Sequence, residues 1–197
     1  MQKIIYAFVF LFLIYCVTDY NLRVEEQYTF VDERAKHDFL ESMIIDETNS
    51  SDAVSLVISE LLLLPEDIWK DFFRSNGQII ITHDLPVEEA VGTFSRKTFG
   101  TYKIYVSPDY IEYAILHEIG HYIGYVQHIE NDSDFKKCLS ERDKVIHRVL
   151  NDNQYFMEDG EYFAEIFKLY IHNELDPIEY PISTSYIKEI LSDYSGV

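Results

Sequence analysis

The sequence predicts an α+β domain: a small sheet packed against a helix that carries His117 and His121, followed by a helical C-terminal part. Three observations predict it. A β-branched run, QIIITHD over 78–84, lies between Gly77 and Pro86 and reads as a buried strand. The alternating TYKIYV over 101–106 follows Gly92 and Gly100 and reads as one member of a hairpin or of a pair of edge strands. Apolar residues at helical spacing, opened by proline or capping residues, dominate the stretches before and after. With 197 residues, 47% apolar and 26% charged, the chain has the composition of one globular core rather than of a repeat or a disordered protein.

The elements follow in chain order. Lys3 precedes 14 consecutive apolar residues, Ile4 to Val17. As a helix they would reach about 21 Å, short of a bilayer core of about 30 Å. Residues 1–20 are therefore expected to be a signal peptide, or else an N-terminal anchor holding the chain outward, with a single domain over 21–197. One helix is expected within Val24–Asn49. Ser51-Asp52 opens an apolar helix that runs to Pro65, and a second helix begins at that proline with acids in its first turn and Gly77 as its stop. After the strands, Ser107 and Pro108 start a helix continuing as YIEYAILHEIGHYIGYV. Ser133–Leu150 is amphipathic, NDNQYFMED over 151–159 is a polar loop, and GEYFAEIFKLYIH over 160–172 and SYIKEILSDY over 185–194 are helices.

Charge and cysteines narrow the function classes. Lys and Arg total 16 against 35 Asp and Glu, a net charge of -19, which argues against general nucleic-acid binding, an affinity that depends on clustered cations. Cys16 and Cys138 are the only cysteines, so neither a disulfide scaffold nor a zinc ribbon is available. Cys138 is expected to pack on the apolar side of its helix.

The chemistry lies in His117-Glu118-Ile119-Gly120-His121, an H-E-x-x-H pattern. On a helix, residues four apart share a face, so both imidazoles can reach one Zn²⁺. Glu118, at the edge of that face, can deprotonate water without being a ligand. Ala114, Gly120 and Gly124 leave room around the pair. Together these features predict the metal-binding helix of a zincin-like domain. A third protein ligand is needed. The extension H-E-x-x-H-x-x-G-x-x-H matches at Gly124 but places Gln127 at the ligand position, with His128 one residue late. The alternative is a carboxylate from a later helix. Glu161 and Glu165 stand four apart on EYFAEIFKLY, so one could bind the metal while the other accepts the ring N–H of a liganding histidine.

The pair LHEIGHYIGY and GEYFAEIFKLY, separated by an amphipathic helix, resembles the peptidase domain of the anthrax toxin lethal factor and its small secreted relatives, the Pro-Pro endopeptidases. The resemblance extends loosely over Val54 to Leu191. It implies one Zn²⁺ per chain held by His117, His121 and Glu161, with Glu118 as general base and Glu165 as the carboxylate behind a liganding histidine. It also implies a tyrosine that stabilises the oxyanion, and Tyr155, six residues before Glu161, is the tyrosine of that loop. TYKIYV, or the preceding TFSRK, would be the edge strand that binds extended substrate. The implied protein is a secreted, monomeric zinc endopeptidase acting on a peptide or protein partner. It would be selective for Pro-containing or basic segments, and would meet membranes only through an uncleaved N-terminal segment. Two other readings share these residues. One is a toxin-like binding module with a structural metal, for which His128 is the nearest fourth ligand, and the other is an immunity-type regulatory metallopeptidase.

Overall fold

Parallel strands buried on both faces are apolar throughout rather than alternating, and QIII is such a segment. In the computed structural model, which describes residues 32–97, 101–150 and 153–194, it is β2 (Gln78–Ile81). The preceding elements are α1 (Glu33–Ser42), β1 (Ile44–Asp46), α2 (Ser51–Leu61) and α3 (Glu66–Arg74). After β2 come β3 (Gly92–Lys97), β4 (Thr101–Val106), α4 (Ile111–Val126), α5 (Ser133–Arg148), α6 (Asp159–Ile171) and α7 (Pro181–Tyr194). The chain divides into two compact units, residues 1–39 and 40–197. In the first, the described residues are the start of α1, where Asp32 Oδ1 accepts the Ala35 N–H at 2.8 Å as a cap. The segment read as signal peptide or anchor lies outside the described residues.

The sheet has the order β1-β2-β4-β3, with β1, β2 and β4 parallel and β3 antiparallel to β4. The hairpin expected around Gly100 is thus β3–β4, with Phe94 opposite Ile104. Of the two candidate edge strands, TYKIYV is interior and the segment containing TFSRK is the edge. Ile79, Ile81, Ile104 and Val106 are fully buried and form the sheet's share of the core.

Several expected boundaries move, each for a local reason. The single helix expected within Val24–Asn49 gives way to a strand after Ser42, because Ile44 and Ile45 pair with Ile79 and Ile80. Asp46 then ends that strand by accepting the N–H groups of Thr48 and Ser50 at 2.8 and 2.7 Å. Ser50, not Ser51, caps α2, its Oγ accepting from Ala53 N–H. That helix stops at Leu61, and Pro65 stands outside α3 as its cap, consistent with the bar on helical conformation just before proline. Strand β2 ends at Ile81, three residues early. The expected start at Ser107 becomes a 3₁₀ turn, Pro108–Tyr110, feeding α4 at Ile111. A second 3₁₀ turn, Gln154–Met157, replaces part of the polar loop. The last helix begins four residues early, at Pro181, in the first-turn position where proline is tolerated.

Helix α4 is central. It packs on β3 and β4 on one side, on α2 on another, and on α6 along its length, which leaves eleven of its residues buried. Its polar residues are therefore held among apolar neighbours. Cys138 on α5 is a buried free thiol, pushed up to about 12 by burial, as expected of a packing residue.

Candidate metal centre

Two histidines one turn apart on α4 face one carboxylate on α6. His117 Nε2 lies 3.1 Å and His121 Nε2 3.3 Å from Glu161 Oε2, and the ligating atoms of the three residues fall within 4.8 Å of one another. That is two imidazole nitrogens and one carboxylate oxygen, a donor set suited to Zn²⁺ with a position left for water. His128 is not a fourth member. It follows the last turn of α4 in the left-handed conformation (φ 54°), ending the helix instead of extending the ligand series.

The remaining polar atoms of the centre fix the tautomers. Glu165 Oε2 sits 3.0 Å from His117 Nδ1, so that nitrogen donates to the carboxylate, and Nε2, which donates to Glu161 in the metal-free protein, is the nitrogen that would face a cation once its proton is lost. The other Glu165 oxygen, Oε1, is 2.7 Å from the Lys168 ammonium, and both side chains are buried. Burial opposes charging His117, yet its hydrogen bonds to Glu161 and Glu165 push it up to about 9. Glu161 shows the reverse balance. Burial opposes ionisation, but hydrogen bonds from His117 and His121 hold it well below the usual carboxylate range.

Glu118, the acid of the His117–His121 motif, is also buried, only 6% exposed. Burial raises it above the usual carboxylate range, offset in part by the charges of His117 and His121 and by a hydrogen bond from the Phe94 N–H of β3. A carboxylate placed beside a metal position, outside its donor set and biased toward the proton, can accept a proton from water and give it up again. Tyr155, carried by the 154–157 turn, is half-exposed. Burial raises its hydroxyl, and the hydrogen bond to Glu161 raises it further, so it stays protonated as a donor. The six-residue spacing thus lets Tyr155 reach the site. Phe156 beside it packs its ring edge against His117.

A recess of about 280 Å³ contains Gly92, Phe94, Glu118, His121, Tyr155 and Glu161. An adjoining cavity of about 400 Å³ shares Glu118 and Tyr155 with it and is walled by Val87, Ala90, Val91, Ala114 and Phe156, with Glu88 and Glu89 also lining it. Gly92 matters because a Cβ there would stand 2.8 Å from Glu118 Oε1. The sequence reading brought together His117, Glu118, His121, Tyr155, Glu161 and Glu165, and all six converge here. It missed Gly92, Phe156 and Lys168. Of these, Lys168 was detectable as a lysine three residues after Glu165 on the same helix face.

Comparison with known proteins gives two likenesses. The family model described as anthrax toxin lethal factor, N- and C-terminal domain, matches residues 97–176, the stretch from the end of β3 through α6. Among solved structures the chain is similar to the Pro-Pro endopeptidase PPEP-2 from Paenibacillus alvei, with a TM-score of 0.58 at 14% identity over 77% of this chain and 99% of that one. No curated protein matches the sequence.

Proposed function

From the premise that this chain is lethal factor-like over residues 97–176 and has the fold of a Pro-Pro endopeptidase, we propose that it is a secreted zinc-dependent endopeptidase. The observation that carries the reading is the convergence of His117, His121 and Glu161, with Glu165 behind His117 and Glu118 beside the set but outside it.

In this reading His117, His121 and Glu161 hold one Zn²⁺. The cation, when bound, supplies Lewis-acid polarisation of water and of the scissile carbonyl. The chain's own groups do the rest. Glu118 takes a proton from the attacking water as its oxygen bonds to the carbonyl carbon. The Tyr155 hydroxyl donates to the oxygen that becomes negative. Glu118 then passes the proton to the amide nitrogen as the C–N bond breaks, leaving a carboxylate and an amine. Extended substrate would lie along β3, whose outer side has no neighbouring strand among the described residues.

The lining of the cavity beside Glu118 supports a substrate class. Its Val87, Ala90, Val91, Ala114 and Phe156 walls suit a compact apolar residue such as proline, and the exposed Glu88 and Glu89 suit a basic residue nearby. The acidic net charge favours encounter with such basic segments and disfavours nucleic acid. No helix among the described residues is long and apolar enough to cross a membrane. In this reading export rests on the apolar run Ile4 to Val17. The proposed working unit is a monomer.

The test is digestion of a diverse peptide library by the zinc-loaded protein and by Glu118→Gln, read by mass spectrometry. The expected result is cleavage by the wild type, enriched at proline-containing or basic segments, and zinc retention with loss of turnover in Glu118→Gln. Near-wild-type turnover in that variant would overturn the reading.

A further inference from the structure

Removing an ammonium from water is costly, and a buried Lys–Glu pair often stabilises a fold no better than two apolar side chains would. Lys168 is nevertheless only 4% exposed. Its Nζ is 2.7 Å from Glu165 Oε1 and 3.9 Å from the ring centroid of Tyr113, an arrangement that favours the cation from a second side. Tyr113 stands on α4 one turn before His117, and Glu165 stands on α6 one turn before Lys168. A closed circuit results: Tyr113 to Lys168, Lys168 to Glu165, Glu165 to His117, and back along α4.

We infer that Lys168 is a positioning residue of the metal centre, fixing the Glu165 carboxylate and through it the direction of His117 Nε2. The inference rests on the zinc reading above. A carboxylate with one anchored oxygen can rotate about its terminal bond, whereas one with both oxygens held cannot. Glu165 Oε2 reaches His117 and Oε1 reaches Lys168, so its plane is fixed at both ends, and the imidazole that donates to it is fixed in turn. Neither Lys168 nor Tyr113 belongs to the three-residue donor set, so both act through Glu165. Tyr113, Glu165 and Lys168 all line a cavity of about 780 Å³, and the Tyr113 ring gives the ammonium a favourable contact in addition to Glu165 Oε1.

The test compares the full chain with Lys168→Met, Lys168→Arg and Tyr113→Leu, each first checked by thermal melting. Zinc affinity is measured by competition with a chelator, and ligand geometry by the visible spectrum of the Co²⁺-substituted protein. Lys168→Met is expected to bind zinc about 10- to 100-fold more weakly, the usual penalty for losing a partner behind a ligand, and to alter the Co²⁺ bands. Its kcat should fall with KM nearly unchanged, and Lys168→Arg should recover most of both properties. Unchanged zinc affinity and Co²⁺ spectrum in a folded Lys168→Met would overturn the inference. If Lys168→Met does not fold, Tyr113→Leu decides. That half-exposed site tolerates change, and its zinc affinity should weaken by a smaller factor; wild-type affinity and spectrum there overturn the inference too. Weakened zinc binding in Lys168→Met, with no peptide cleaved even by the wild type, upholds Lys168 and defeats the protease reading. Cleavage by the wild type with an unaltered Lys168→Met does the opposite.

Discussion

A Cβ added to Gly120 of α4 would stand 2.8 Å from the Cα of Ala164 on α6 and 3.2 Å from its Cβ. The two helices therefore meet at backbone distance, at the level where His117 and His121 face Glu161. Gly120→Ala must push α6 away, and the carboxylate moves with it. The variant should lose about 1–3 kcal/mol of stability, as overpacked cores do. Zinc affinity should fall alongside. Thermal melts with and without zinc check both effects, and wild-type values in both would refute the close-approach argument.

Gly92 places a similar restriction on the general base. A side-chain carbon there would meet Glu118 Oε1 at 2.8 Å and Ala114 Cβ at 2.9 Å. Gly92→Ala should leave the metal ligands in place but displace the Glu118 carboxylate. Displacements on the order of 1 Å at a reacting group can cost about 10²-fold in rate. The expected outcome is normal zinc binding with kcat reduced by about that factor, measured on any peptide the wild type cleaves.

His117 gives the metal-free protein a pH signature. Its folded value of about 9 lies above the ordinary 6.5. A base whose folded value is raised contributes stability that is complete below its unfolded value and is lost as pH rises through the folded one. In chelator-treated samples the advantage of wild type over His117→Gln in urea midpoint should be largest at pH 6 and shrink through pH 9. An advantage that grows with pH would contradict the assignment.

Glu141 of α5 tests a structural role away from the centre. Its two oxygens accept the Ile182 and Ser183 N–H groups at 3.0 and 2.8 Å, in the first turn of α7. Glu141→Ala leaves both donors without that acceptor and should destabilise the fold by about 1–3 kcal/mol. Glu141→Gln should cost less, and zinc affinity should not change in either. Urea denaturation and a zinc titration provide the check.

The site was more legible in the sequence than the fold around it, and the reason is range. His117, Glu118 and His121 lie within five residues of one helix, and Glu161 and Glu165 within five of another, so helical periodicity alone put each group on one face. Strand β1 was hidden because three residues, Ile44 to Asp46, carry no period of their own and become a strand only by pairing with β2, 35 residues further on. The place of β3 at the edge likewise depends on which strands align beside β4. The spacing of Lys168 to Glu165 is local, but the ring of Tyr113 over its ammonium comes from α4, and the closeness of Gly92 to Glu118 comes from the packing of β3 on that helix; neither contact has a sequence signal.

The meeting of α4 and α6 has one more consequence. His117 and Glu161 lie 44 residues apart in sequence, and α5 occupies the chain between them. A cation bound to both would act as a removable cross-link closing that loop, shrinking the freedom of the unfolded chain in the way a disulfide does. Cys138, within the loop, is a free thiol and offers no such tie. Chelation would then loosen the whole α4–α6 span and not just the ligands, so limited proteolysis should cut first between residues 127 and 160 once the metal is withdrawn.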